Sequence, residues 1–142
     1  MGKNKLLNIM IIILVTIALT GVVAYFVLTN LTKSDGPKEP SIDDILETTV
    51  DIEEMTTNLN DGHYLVIQFK IQANNKKTKE ELEKRNFQIK NILIQELASM
   101  KGEQFTTKEG LLEVEDTLKM RINEIVQTGT VEKVYITNRL IQ

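Results

Sequence analysis

From Leu6 to Leu28 the chain reads LLNIMIIILVTIALTGVVAYFVL, with no charge closer than Lys5 on one side and Lys33 on the other. At about 1.5 Å rise per residue this stretch spans roughly 34 Å, slightly more than a bilayer's hydrocarbon core, and predicts one transmembrane helix over 6–28. Its β-branched residues are no obstacle, because lipid obliges the backbone to satisfy its own hydrogen bonds. A cleaved signal peptide would have a shorter apolar core ending at a small-residue site, and Val22-Val23-Ala24-Tyr25 offers none. A retained anchor is therefore expected, running from Leu6 through Ile12, Thr16, Thr20 and Ala24 to Leu28. Thr16, Thr20 and Ala24 recur at four-residue spacing; they form either a ridge for close helix–helix approach or the ordinary small-residue content of a membrane helix.

After the span the pattern changes. Thr32–Pro40 holds both prolines and reads as a linker. Ser41 followed by Asp44 resembles a capping box opening a short helix with Ile42, Ile45 and Leu46 on one face. Thr49–Thr57 reads as a strand with Val50 and Ile52 inward. Asn58-Leu59-Asn60-Asp61-Gly62 is dense in turn residues, with Asp-Gly as the sharpest signal. His63–Ala73 then alternates, with Leu65, Ile67, Phe69 and Ile71 pointing one way, so the two strands predict a hairpin with one face to be covered. A helix is predicted from Thr78, capped with Glu81, to about residue 100, with Leu82, Phe87, Ile89, Leu93, Leu97 and Met100 on its apolar stripe. Gly102 ends it. Thr106–Glu109 opens a second helix striped by Leu111, Val114, Leu118, Ile122 and Ile125, and Val131–Gln142 reads as a last strand. The order is β-β-α-α-β, an α+β domain with helices over one sheet. The organisation expected is residues 1–5 before the membrane, 6–28 within it, 29–47 as linker with a short helix, and 48–142 as one domain outside.

Charge supplies the orientation. Residues 6–28 contain 19 apolar residues, whereas all 37 charged residues of the 142 lie elsewhere. Lys3 and Lys5 precede the span and the first stretch after it is mainly acidic, so the positive-inside rule places the N-terminus in the cytoplasm. The net charge of −3 becomes −5 beyond the span, a poor match to nucleic acid, which selects for clustered Lys and Arg. Asp43, Asp44, Glu47, Asp51, Glu53 and Glu54 fall between Lys38 and Lys70 with no base among them; they form either a surface that meets a basic partner or a solvated face.

Reactive groups are few. With no cysteine and a single histidine, His63, thiol chemistry and multi-histidine metal sites are excluded. Ser34, Ser41 and Ser99 sit in no nucleophile elbow, and phosphate and dinucleotide loops are missing from the sequence. His63 beside the hairpin glycine reads as a solvated turn residue. Glu80, Glu81, Glu83 and Glu96 read as solvent-facing charges among lysines. No catalytic residue, cofactor, metal or small-molecule substrate is expected.

Several strings resemble the FliL family of flagellar basal-body-associated membrane proteins. They are Asn58-Leu59-Asn60-Asp61-Gly62-His63-Tyr64-Leu65 at the hairpin, Glu83–Ile94 in the first helix, Thr107-Lys108-Glu109-Gly110 with Leu111-Leu112 and Arg121-Ile122-Asn123 in the second, and Val131–Gln142 at the last strand. Ile136 stands where an aromatic is common in that family, and the linker is short. The resemblance implies a non-enzymatic, single-pass cell-membrane protein with an outer domain of the SPFH (stomatin) type. Such a protein assembles into a homo-oligomeric ring around the flagellar stator proteins and supports torque for swimming and swarming. It also implies that Asp43, Asp44, Glu47, Asn58, Asp61, Gly62 and Tyr64 either touch partners or, at the hairpin, simply build the turn. A membrane-tethered accessory domain of another envelope machine, or a small outward hydrolase, are the alternatives.

Overall fold

A computed structural model describes residues 2–32 and 39–142. The chain divides into two compact units, Met1–Glu39 and Pro40–Gln142. In the first, helix α1 runs Gly2–Thr32, and its segment Gly2–Asn30 is long and apolar enough to cross a membrane. The linker expected over 32–40 lies, from 33 to 38, outside the described residues. The Thr16 and Thr20 hydroxyls donate back to the carbonyls of Ile12 and Thr16, each at 2.7 Å. Their donors are thus occupied within the helix.

The second unit is a mixed α/β domain. Helix α2 (Ile42–Glu47) begins at the capping box read from the sequence: the Asp44 N–H donates to Ser41 Oγ at 3.2 Å, and the Ser41 N–H donates to Asp44 Oδ2 at 3.1 Å. Strands β1 (Thr49–Asn58) and β2 (Tyr64–Ala73) form the hairpin. Helices α3 (Lys76–Lys84) and α4 (Asn86–Ser99) follow, then a 3₁₀ turn (Gly102–Phe105), helix α5 (Lys108–Asn123) and strand β3 (Val131–Ile141). The sheet is antiparallel in the order β1-β2-β3. Its two outer strands are therefore both edges.

Alternation decides what each strand buries. Leu65, Ile67, Phe69 and Ile71 are fully buried on β2, with Val50 and Ile52 beside them on β1 and Val131 and Val134 on β3. The helices close over this face with Leu82, Ile89, Leu93, Leu97, Val114, Leu118 and Ile122, and Phe105 of the 3₁₀ turn joins them. Side chains of this size each contribute roughly 1.5–3 kcal/mol when withdrawn from water, so this shared face holds the domain together. The opposite sheet face carries the polar set: Lys70 pairs with Asp51 at 2.6 Å, and the Tyr135 hydroxyl donates to Gln72 Oε1 at 2.8 Å.

Three expectations need correction in the first amphipathic stretch. It begins at Lys76, capped by Asn75, whose Oδ1 accepts from the Thr78 N–H at 2.9 Å; Thr78 is buried inside the first turn. The backbone opens at Arg85 (φ −89°, ψ 10°), while the Arg85 N–H still donates to the Glu81 carbonyl and the Ile89 N–H to that of Arg85. The stretch is therefore two helices jointed at Arg85, where one hydrogen-bond ladder ends and the next begins. Phe87, expected on the buried stripe, is 73% exposed. At about 100° per residue it lies about 200° from Ile89, on the far side of the helix that Ile89, Leu93 and Leu97 turn inward. Ile42 and Leu46 on α2 are also exposed, at 66% and 57%.

Candidate functional site: the hairpin tip, the α3 clasp and the sheet edges

The hairpin tip is built by its own backbone. Gly62 adopts φ 88°, which its missing Cβ permits. The Leu59 N–H donates to the His63 carbonyl at 2.8 Å, and the Gly62 N–H to that of Leu59 at 3.1 Å. Leu59 turns into the core. Asp61 then ties the tip to the segment after α4. Its Oδ2 accepts from the Gly102 N–H at 2.8 Å, and its Oδ1 lies 3.0 Å from His63 Nδ1. A parallel bond runs from the Asn60 N–H to the Met100 carbonyl at 2.8 Å. The Gly102 amide, reinforced by His63, holds the Asp61 carboxyl down at about 2. His63 is thus a partner of Asp61 in the turn, its ring about half exposed.

The candidate contact residues separate by what their side chains already do. Asp44 caps α2 and its carboxyl is lowered by the Ser41 hydroxyl. Glu47 pairs with Lys76 at 2.7 Å, joining α2 to the start of α3. Asp61 and Gly62 build the turn. Asp43, Asn58 and Tyr64 are exposed and carry no side-chain hydrogen bond or ion pair among the described residues; the Tyr64 backbone exchanges both its bonds with Gln142, at 2.8 and 2.9 Å.

A second cluster was not legible in the sequence. Glu81, expected to face solvent, has a side chain only 12% exposed. Its carboxylate accepts from the Thr128 hydroxyl at 2.6 Å, the Thr128 N–H at 2.8 Å, the Gln127 N–H at 3.1 Å and Arg85 Nε at 2.7 Å. The Thr128 hydroxyl is the largest cause holding this carboxyl down at about 2. Next to it, Asn74 Oδ1 accepts from the Thr130 N–H at 3.0 Å, and Gly129 lies so close to Thr78 and Asn74 that a Cβ there would strike both. Together these bonds clasp the turn before β3 onto α3. Glu96 was likewise expected in solvent; its side chain is 20% exposed and accepts from Arg121 Nε at 2.6 Å, bridging α4 and α5. The only sequence cue to either was a carboxylate on a face that a later element comes to cover.

The two sheet edges differ. Along the outer side of β3, α5 supplies side chains in place of a fourth strand. Asn123 both donates to the Val131 carbonyl and accepts from its N–H, at 3.2 and 2.7 Å, and Glu115 accepts from the Ile136 N–H at 2.9 Å. Beyond Ile136 this cover stops, and a groove of about 270 Å³ lies between Leu111 and Glu115 of α5 and Ile136–Arg139 of β3. On the other edge, β1 carries a bulge at Glu53–Glu54, between Ile52 and Met55. No group of three or more potential metal-ligating side chains occurs among the described residues.

The fold from β1 onward coincides with a known family. Residues 49–142 match the model for flagellar basal body-associated protein FliL. The chain belongs to the FliL family. The flagellar protein FliL of Bacillus subtilis (strain 168) is similar to it, with 41% identity over 122 residues, covering 86% of each chain. The FliL match begins at Thr49, the first residue of β1, and thus takes in the hairpin tip, the α3 clasp and both sheet edges. A flagellar basal-body protein involved in motility, with an N-terminal helix suited to a single membrane crossing, accounts for both units of this FliL-family chain.

Proposed function

We propose that the chain is a non-enzymatic component of the flagellar basal body that associates with the motor's stator units as a homo-oligomeric ring. In this role it supports stator recruitment and stability, and hence torque for swimming and swarming. The observation that carries the reading is the family match from β1 to β3, together with a relative 41% identical over 86% of each chain. Lys3 and Lys5 ahead of the span, against an acidic stretch after it, support an N-terminus in the cytoplasm and a domain from about residue 48 outside. Residues 6–28 would hold each subunit in the plane of the membrane where stators sit. The side chains at its outer reaches that are not consumed internally, Asp43, Asn58 and Tyr64, are the contact candidates. Asp44, Glu47, Asp61 and Gly62 act by holding the surfaces that carry them.

Deleting the gene in its own host is expected to reduce swarming and lower motor torque under high load, and the tagged protein is expected to copurify with stator subunits. Unchanged torque at high load together with no stator in the purified material would overturn the assignment.

A further inference from the structure

We infer that successive copies join edge to edge, the uncovered end of β3 in one copy pairing in parallel with the last residues of β1 in the next. The inference rests on the ring reading above and names the joint that would build it.

The direction of the backbone groups shows which residues are available. Tyr64 and Gln142 exchange both their hydrogen bonds. In an antiparallel ladder such pairs alternate, so Leu140 also faces β2 while Arg139 and Ile141 turn their N–H and C=O groups outward. On the other edge the Leu59 N–H donates to His63, so Thr57 and Met55 face β2, and Thr56 and Asn58 turn outward. Both stretches lie at one level of the sheet. The register aligns Met55, Ile67 and Arg139 in one row, Thr56, Val66 and Leu140 in the next, and Thr57, Leu65 and Ile141 in a third. A neighbour displaced across the sheet thus brings residues 55–58 against residues 139–142 with no vertical slip. Within one copy β1 and β3 are parallel to each other, both being antiparallel to β2, so such a neighbour presents β1 parallel to β3.

Charge selects a second copy as the occupant. Arg139 shares the row of inward-facing Ile67, on the helix side of the sheet beside the α5 groove, and has no ion-pair partner among the described residues. Glu53 lies on the same side of the opposite edge: its carboxylate, 84% exposed, reaches Lys90 of α4 at 2.8 Å. It sits in the bulge adjoining Met55, hence at the height of Arg139. The joint therefore sets an unpaired cation opposite an exposed carboxylate. On the open face it sets Leu140, 51% exposed, beside Thr56. A contact between two different edges is head-to-tail and repeats indefinitely, closing into a ring when the rotation allows. The cover that Asn123 and Glu115 give to the first half of β3 limits pairing to a few residues, so the edge is no general template for aggregation.

The chain has no native cysteine, which makes the test direct. In membranes holding the full-length protein, Thr56→Cys with Leu140→Cys is expected to give a ladder of dimers, trimers and higher species on oxidation, since paired-strand spacing suits a disulfide. Each single variant should remain monomeric. Arg139→Glu in the double-cysteine chain should cut the ladder about tenfold through like-charge contact, and adding Glu53→Arg should restore it. Dimers from Leu140→Cys alone would mean a two-fold edge pairing, and an adduct with a different protein would mean a foreign strand; either overturns the inference. If an amine-reactive crosslinker captures multimers but no disulfide ladder forms, the joint is wrong and the ring stands. If neither reagent captures multimers, the ring reading itself fails.

Discussion

Among the described residues, Glu81 and Asp61 are the two carboxylates whose bonds to backbone amides reach furthest across the sequence. Glu81 holds residues 46 and 47 positions away, and Asp61 holds an amide 41 positions away. Both carboxyls are held at about 2, against ordinary values of 4.5 and 3.8. A carboxyl whose folded pKa lies below its unfolded one stabilises the fold fully above the unfolded value and loses that contribution as pH falls through the folded one. Domain stability is therefore expected to be level above about pH 5 and to decline between about 4.5 and 2, in urea titrations of the detergent-solubilised protein across that range. Glu81→Gln should lower stability at pH 7 and flatten part of the decline, because the amide keeps the shape but weakens the charge-assisted bonds to Thr128 and Arg85. An E81Q variant with the wild-type stability and the wild-type acid profile would mean that the clasp contributes nothing.

At the scale of elements, α4 and α5 close the core and bridge to one another through Glu96 and Arg121. Leu118 is fully buried in the middle of α5. Leu118→Ala is expected to cost roughly 2–5 kcal/mol, the usual range for a buried leucine truncated beside well-packed neighbours, measured as a lower urea midpoint with unchanged slope. The strand and helix periods were legible because each buried face shows its own alternation: β2 through Leu65, Ile67, Phe69 and Ile71, and α5 through Val114, Leu118 and Ile122. The short α2 was legible for another reason, a local capping pair that needs no tertiary partner. What the chain did not disclose is the joint at Arg85, the cap at Asn75 and the burial of Glu81. The burial of Glu81 depends on the turn at 127–130 arriving against α3, which no periodicity encodes, whereas the Asn75 cap is a local bond to the Thr78 N–H. The hairpin tip was readable as a turn from Asp61-Gly62. The bond from the Gly102 amide to Asp61 was not, because it joins residues the sequence keeps far apart.

For the molecule as a whole, every residue of the buried cluster lies between Val50 and Val134, within the second unit. A fragment of residues 40–142 is therefore expected to unfold cooperatively, with the urea midpoint of the full-length protein in detergent. A fragment that is unfolded, or that melts without cooperativity, would show that the first unit supplies part of the stability. The same truncation should reduce swarming and high-load torque as far as deletion does, since the proposed role requires both units on one chain.

The placement of β3 has a consequence for how the domain comes into being. Its Thr137 hydroxyl donates to the Gln68 carbonyl of β2, 69 positions earlier in the chain. Such distant pairing forms slowly, because loop closure must precede any contact that rewards it. Until residues 131–141 have docked, β2 exposes a full ladder of unpaired backbone groups and its hydrophobic row lacks one wall. The helices between them have shorter-range contacts and can assemble first. Docking of the last strand is thus expected to be the slow step in closing the domain, and a chain still awaiting it is the species most open to mispairing.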